Sequence, residues 1–152
     1  MTVVGGPSRA DSVRAGLAAV PGDAAIIVVH DAARPLAGAD LFAAVVAAAE
    51  VEGTDGVIPV LPVSDTLKRT SQGVVLSTVD RDGLVTVQTP QAFDAQALRA
   101  AHRSGGDATD DAGLLEAVGA TVRTVPGDPR NLKITRPEDL ELAEALMRAV
   151  PR

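Results

Sequence analysis

The sequence predicts an α/β protein built on a doubly wound, mostly parallel sheet with a projecting β-arm. Three observations lead there. Segments with strand and helix signatures alternate along the chain, the order of a sheet whose strands are joined by crossover helices. Ala24 to Val29 is an unbroken apolar run rich in β-branched residues, as in a parallel strand covered on both faces. Asp65 to Arg81 breaks the alternation with two short stretches around a turn signal.

Taken in order, Ser8-Arg9-Ala10-Asp11 fits a helix-start capping box, and Val13, Leu17 and Val20 follow at helical spacing until Pro21-Gly22 stops the helix. The strand Ala24 to Val29 comes next, with Asp31 just past its carboxyl end. Asp40 is expected to cap a helix over Leu41 to Glu50. Gly56 to Val63 reads as a second buried strand, expected to be short or irregular because Pro59 and Pro62 each remove a ladder donor. Thr70-Ser71-Gln72-Gly73 is a turn between Leu67-Lys68-Arg69 and Val74 to Val79, giving a two-stranded arm. An isolated hairpin is marginal in water, so the arm is expected to rest on another surface, such as a second subunit. Asp82-Gly83 then turns into a strand, Leu84 to Gln88. Asp94 opens a helix with Leu98 and Ala101 on one face, ended by Ser104-Gly105-Gly106. Thr109-Asp110-Asp111 opens another that stops at Gly119, its acidic residues favoured by the helix dipole. Thr121 to Val125 reads as a strand. Thr135-Arg136-Pro137-Glu138 caps a closing helix expected to turn Leu140, Ala143, Leu146, Met147 and Val150 to the core.

Composition narrows the class of function. The 152 residues suit one domain, and 46% hydrophobic with 22% charged content is ordinary for a globular protein. Phe42 and Phe93 are the only aromatics of the Phe, Tyr and Trp type, so the core must rest on many small contacts. No apolar run approaches the roughly 20 residues that span a bilayer and no signal segment is visible, so a cytoplasmic location and no membrane partner are expected. The chain has no cysteine, which excludes disulfides, zinc-thiolate sites and thiol catalysis. A net charge of −6 argues against nonspecific nucleic-acid binding, so any phosphate ligand must be held locally. Walker and dinucleotide glycine loops are missing, as are His/Cys ligand clusters, and no motif suggests a Ser-His-Asp arrangement.

Two residues invite a chemical reading on position alone. Asp31 is a carboxylate beyond a buried strand, where it can hold Mg²⁺ beside a phosphate ligand or simply bond its own turn. Lys133 follows Gly127-Asp128-Pro129-Arg130-Asn131 and precedes a capped helix, placing its ammonium either in the same crevice or in solvent. His30 reads as a core or supporting residue as readily as a proton carrier. Thr109 is either a helix N-cap or a phosphate contact.

Four segments, His30-Asp31-Ala32-Ala33-Arg34-Pro35, Asp65-Thr66-Leu67-Lys68, Gln88-Thr89-Pro90-Gln91 and Asn131-Leu132-Lys133-Ile134-Thr135, fall where predicted strands end and helices or the arm begin. An open α/β sheet keeps its site there. Together they resemble the 2-C-methyl-D-erythritol 4-phosphate cytidylyltransferase family, from Val3 almost to the C-terminus. Gly5-Gly6-Pro7-Ser8-Arg9-Ala10-Asp11-Ser12-Val13 is similar to that family's Gly-Gly-x-x-Arg-x-x-Ser-Val segment, and Asn131 to Leu140 matches Asn-x-Lys-Ile-Thr-x-Pro-Glu-Asp-Leu without a break.

The resemblance implies a nucleotidyltransferase-like fold and cytidylyl transfer from CTP to methylerythritol phosphate in non-mevalonate isoprenoid synthesis. It assigns Asp31 to the metal, Mg²⁺ or another divalent cation, and Lys133 to catalytic charge stabilisation. Arg34 and Thr109 fall to the substrate phosphate, and Gly6, Ser12 and Ala32 to the nucleotide. Thr66 and Arg81 reach the neighbouring subunit's substrate, making residues 65–81 the dimerisation arm of a homodimer. Pro7 departs from the acidic residue often found there and brings neither an N–H nor a polar side chain to base recognition. The family opens with a first strand and a Gly-rich basic loop around the triphosphate, whereas this chain enters at Val3-Val4. Residues 1–152 are therefore expected to be a partial nucleotidyltransferase domain with little activity alone. A cytidylyltransferase for another polyol phosphate, or a dimerising fragment without catalysis, are the alternative readings.

Overall fold

A computed structural model describes residues 1–104 and 108–148. The first helix, α1 (Arg9–Ala19), starts as the sequence predicts: Ser8 is its N-cap and the Ser8 Oγ accepts from the Asp11 N–H at 3.0 Å. Strand β1 (Ile26–Val29), helix α2 (Ala39–Ala49) and strand β2 (Gly56–Pro62) follow. The hairpin is β3 (Leu67–Ser71) and β4 (Val74–Val79). Next come β5 (Val85–Val87), β6 (Gln91–Asp94), α3 (Ala95–Arg103), α4 (Asp111–Ala117), β7 (Val122–Pro126) and α5 (Pro137–Arg148). The helix stop expected at Gly105-Gly106 and the core position of Val150 lie outside the described residues.

The α/β class holds and the sheet carries a parallel component, with one difference in detail. β2 and β7 pair in parallel, and β1 runs the same way, but antiparallel β6 sits between β1 and β2. β5 also pairs antiparallel with β2. The sheet is therefore mixed rather than mostly parallel in its ladders. β5 and β6 run along one edge of β2 as a single strand interrupted at Gln88-Thr89-Pro90. That interruption explains why β2 is a regular seven-residue strand despite its prolines. The N and C=O of one residue face the same strand edge. The Pro59 carbonyl accepts from the Gln88 N–H at 2.8 Å, so the missing Pro59 donor faces the gap in its neighbour.

Helices cover both faces, as a doubly wound sheet requires. Ile27, Ile58 and Phe93 pack with Leu17, Leu98, Ala101, Leu114 and Leu115 from α1, α3 and α4. On the opposite face Val57 and Ala92 pack with Val45 and Ala49 of α2. Small side chains do most of this, in keeping with the aromatic-poor composition.

Several local expectations are corrected. α2 starts at Ala39 after Gly38, with no side-chain cap; Asp40 lies in the first turn, where its charge still suits the helix dipole. The N-cap of α4 is Asp110, not Thr109: Asp110 has extended backbone and its Oδ1 accepts from the Gly113 N–H at 2.9 Å. At α5 the carboxylate of Asp139, rather than Glu138, closes the start. It accepts from the Thr135 N–H at 2.8 Å, the Thr135 hydroxyl at 2.9 Å and the Arg136 N–H at 2.9 Å. Those bonds, the Thr135 N–H first, hold the Asp139 carboxyl below its usual range. Of the α5 residues expected in the core, Ala143 is buried, while Leu140 and Met147 are exposed.

The arm is a hairpin as expected. Gln72 at φ 48° and Gly73 at φ 79° give the two left-handed residues of a type I′ turn. Val74, Val75 and Leu76 stand 59–63% exposed along β4.

Candidate active site

Each strand that shares the common direction ends at one edge of the sheet. β1 runs into His30-Asp31, and β7 runs into the 127–133 loop, while the interruption Gln88-Thr89-Pro90 passes between them. A cavity of 260 Å³ opens there, lined by Arg9, Asp31, Arg34, Thr109, Asp110 and Lys133 with Val87, Gln88, Thr89 and Gln91 as its floor. This is the crevice at the carboxyl ends of strands where open α/β sheets bind ligands.

Asp31 and Lys133, remote in sequence, meet here: Lys133 Nζ lies 3.0 Å from Asp31 Oδ2. The Asp31 side chain is 23% exposed and that of Lys133 46%, so the pair faces the opening rather than the core. Arg34 Nε stands 3.9 Å from the same carboxylate oxygen. Its Nη1 donates to the Asn131 carbonyl at 2.8 Å, and its Nη2 to that of Val87 at 3.4 Å, while Nε has no hydrogen-bond partner. Burial pushes the Arg34 guanidinium below its usual value and Asp31 pushes it back up.

The loop that carries Lys133 is held from below by Gln88. Its Oε1 accepts from the Asp128 N–H at 3.1 Å; its Nε2 donates to the carbonyls of Asp128 at 2.9 Å and Asn131 at 3.2 Å. Gly127 permits this approach. A Cβ there would lie 2.6 Å from Gln88 Oε1 and 3.1 Å from the Val60 carbonyl oxygen. Asn131 is fully buried and donates from Nδ2 to the Thr89 carbonyl at 2.8 Å, tying the same loop to the strand interruption.

Of the residues singled out in the sequence, the structure brings Asp31, Arg34, Thr109 and Lys133 to this cavity. With Asp110 as the cap, the Thr109 hydroxyl is released from that role, and Thr109 is exposed at the rim. Gly6, Ser12 and Ala32 do not line the cavity. The Ser12 Oγ accepts from the Gly6 N–H at 3.1 Å and donates to the Ser8 carbonyl at 3.0 Å, shaping the turn into α1. Thr66 and Arg81 sit at the base of the arm, exposed, with Arg81 donating to the Ser64 carbonyl.

Sequence reading missed the group behind Arg9. Arg9 Nη2 lies 2.7 Å from Asp111 Oδ2, and His102 Nε2 lies 2.9 Å from Asp111 Oδ1, with the Asp111 side chain fully buried. Gln91 was also overlooked. It is buried and donates from Nε2 to Asp110 Oδ2 at 3.2 Å. A second, larger cavity of 660 Å³ lies among α2, the 126–130 loop and α5. Leu36, Leu41, Ala44, Pro126 and Met147 give it an apolar character, and its Arg130 is tied to the Leu146 carbonyl at 3.2 Å.

The arrangement around Asp31 suits an anionic, phosphate-bearing ligand, because two cations converge on an opening floored by neutral amides. Among the described residues no group of three or more His, Cys, Asp or Glu comes together that could hold a metal by itself. Asp110 is committed to Gly113 and Gln91, leaving Asp31 as the carboxylate for a cation. One carboxylate completed by ligand phosphates and water is a normal Mg²⁺ donor set. Also among the described residues, no helix is long and apolar enough to cross a membrane.

Comparison with known proteins bears on the family and the fold. A family model described as 2-C-methyl-D-erythritol 4-phosphate cytidylyltransferase matches residues 1–149. The chain is 53% identical over 147 residues to the "Bifunctional enzyme IspD/IspF" of Clavibacter michiganensis, covering 95% of this chain and 36% of that protein. It is 53% identical over 146 residues to the "2-C-methyl-D-erythritol 4-phosphate cytidylyltransferase" of Nocardia farcinica, covering 95% of this chain and 63% of that one. The chain thus spans less than two thirds of either curated relative. A crystal structure of the 2-C-methyl-D-erythritol 4-phosphate cytidylyltransferase of Thermus thermophilus superimposes with a TM-score of 0.86 at 42% identity, over 95% of this chain and 72% of that one.

Proposed function

Because this chain belongs to the 2-C-methyl-D-erythritol 4-phosphate cytidylyltransferase family, we propose that it serves cytidylyl transfer from CTP to 2-C-methyl-D-erythritol 4-phosphate in isoprenoid synthesis. The observation that carries the reading is the Asp31–Lys133 pair, 3.0 Å apart at the mouth of a cavity that also holds Arg34 and Thr109. In the reaction a phosphate oxygen of the acceptor attacks the α-phosphorus of CTP in line. An O–P bond forms, the bond to the bridging oxygen breaks, and its electron pair leaves with pyrophosphate. No covalent enzyme intermediate is needed. Positioning and charge stabilisation supply the rate.

Each residue then has a physical task. Lys133 offers a mobile ammonium that exchanges the Asp31 carboxylate for phosphate oxygens and offsets charge that grows toward the transition state. Arg34, anchored on the Asn131 and Val87 carbonyls, holds its planar edge toward the acceptor phosphate, and the Thr109 hydroxyl donates at the rim. Asp31 would hold Mg²⁺, which when bound neutralises phosphate charge. Gly6, Ser12 and Ala32 are the nucleotide contacts in this reading.

The assembly is a homodimer in the cytoplasm, with the arm clasping the second subunit and Thr66 and Arg81 serving that subunit's acceptor. Supporting it are the exposed Val74, Val75 and Leu76 on a hairpin that has no core of its own. Deleting Lys68 to Thr78 is expected to raise the KM for the acceptor and convert dimer to monomer. Sedimentation velocity beside steady-state kinetics checks both, and an unchanged dimer with unchanged KM removes the arm from the mechanism.

The catalytic reading is tested by CTP-dependent pyrophosphate release from the full-length protein with methylerythritol phosphate and, in parallel, another polyol phosphate. Release with the first and not the second is expected. Turnover of the second alone overturns the acceptor assignment, and turnover of neither overturns the activity.

A further inference from the structure

Resting on the cytidylyltransferase reading above, we propose that Thr89 and His30 are positioning residues that set the backbone between Asp31 and Arg34. Neither is assigned a role by the motifs or the comparisons. Thr89 is buried in the interruption between β5 and β6, and its hydroxyl lies between two partners. The Asp31 N–H donates to Thr89 Oγ1 at 3.0 Å, and His30 Nδ1 lies 3.1 Å from the same oxygen. A hydroxyl carries one proton, so Thr89 Oγ1 can accept from the Asp31 N–H and still donate to Nδ1 when that nitrogen carries its lone pair. On the far side of the ring, His30 Nε2 lies 3.1 Å from the Arg34 carbonyl, which can only accept. The Arg34 carbonyl therefore sets the tautomer of the neutral ring, with the proton on Nε2 and the lone pair on Nδ1 facing the Thr89 hydroxyl.

The result is a closed circuit. Asp31 is gripped at its N–H and Arg34 at its C=O by one hydroxyl and one ring, and the Arg34 N–H returns to the Asp31 carbonyl at 2.9 Å. Phe42 holds the ring against sliding, with centroids 5.1 Å apart and planes tilted 58°. With its backbone fixed at both ends, the turn points the Asp31 carboxylate toward Lys133 and the Arg34 side chain toward the Asn131 carbonyl. Gln88, one residue earlier, fixes the facing Lys133 loop, so adjacent residues of one strand interruption set the two halves of the cation–carboxylate pair. Supports of this kind act on turnover through the groups they orient.

Two measurements test it. On the chain itself, ¹⁵N NMR of the imidazoles is expected to show His30 as the Nε2–H tautomer, and Thr89→Val is expected to speed amide exchange at Asp31 while Thr89→Ser restores the protection. In the full-length enzyme, Thr89→Val is expected to lower kcat by about 10- to 100-fold with the KM for CTP changed less than about twofold, and Thr89→Ser to recover most of it. An Nδ1–H tautomer in the wild type, an Asp31 amide indifferent to Thr89→Val, or a kcat unchanged by that substitution each overturn the proposal. A wild-type enzyme inactive toward CTP and methylerythritol phosphate overturns the functional reading instead, and the NMR results then decide the positioning circuit by themselves.

Discussion

Under the proposed cytidylyl transfer, Lys133→Ala is expected to lower kcat and kcat/KM together, by about 10²- to 10³-fold, the loss seen when one donor to a developing charge is removed. The magnitude follows from what the ammonium does. In the free site it is satisfied by Asp31 Oδ2 at 3.0 Å, and at 46% exposure it is also open to water. Ground-state binding therefore gains little from it, while the growing charge on the transferring phosphoryl group gains much. Asp31→Asn keeps the shape, removes the charge and is expected to lower turnover in the same way, with a steeper dependence on Mg²⁺ concentration. Steady-state kinetics at saturating Mg²⁺ decide the matter. Near-normal kcat in either variant removes that residue from the chemistry, and a KM effect without a kcat effect reduces it to uniform binding.

How much of this was legible in the chain depends on the range of each interaction. The Ser8 cap, the Asp94 cap and the Gln72-Gly73 turn are decided within three or four residues, and the sequence shows them plainly. Asp31 and Lys133 are far apart, yet both follow strand ends, and the topology of an α/β sheet brings such positions to one edge. β6 went unread because Gln91–Asp94 is four residues long, follows a proline and has no alternation. Only its place between β1 and β2 makes it a strand. The seven residues of β2 were under-read for a related reason: the cost of Pro59 depends on what faces its nitrogen, and what faces it is the interruption at Gln88-Thr89-Pro90. Leu140 and Met147 follow helical spacing, but periodicity marks an apolar stripe without saying what covers it.

The Arg9–Asp111 pair was the least legible, since its members are 102 residues apart and each has a local explanation, a helix start for one and a favourable dipole position for the other. Its energetic weight is nonetheless large. Arg9→Ala is expected to destabilise the chain by about 3–5 kcal/mol, because among the described residues it leaves the fully buried carboxylate with His102 as its remaining side-chain donor. The cost is that of an uncompensated buried charge rather than the value of the ion pair, and the two can be separated. Asp111→Asn on the Arg9→Ala background removes the charge while an amide oxygen still accepts from His102 Nε2, so most of the lost stability is expected to return. Urea unfolding of the wild type, the single variant and the double variant measures both steps. A loss below about 1 kcal/mol in Arg9→Ala, or a double variant no more stable than the single one, rules out this account. Since Arg9 also lines the cavity and joins α1 to α3 and α4 through Asp111 and His102, the same substitution is expected to weaken ligand binding at temperatures where the fold persists.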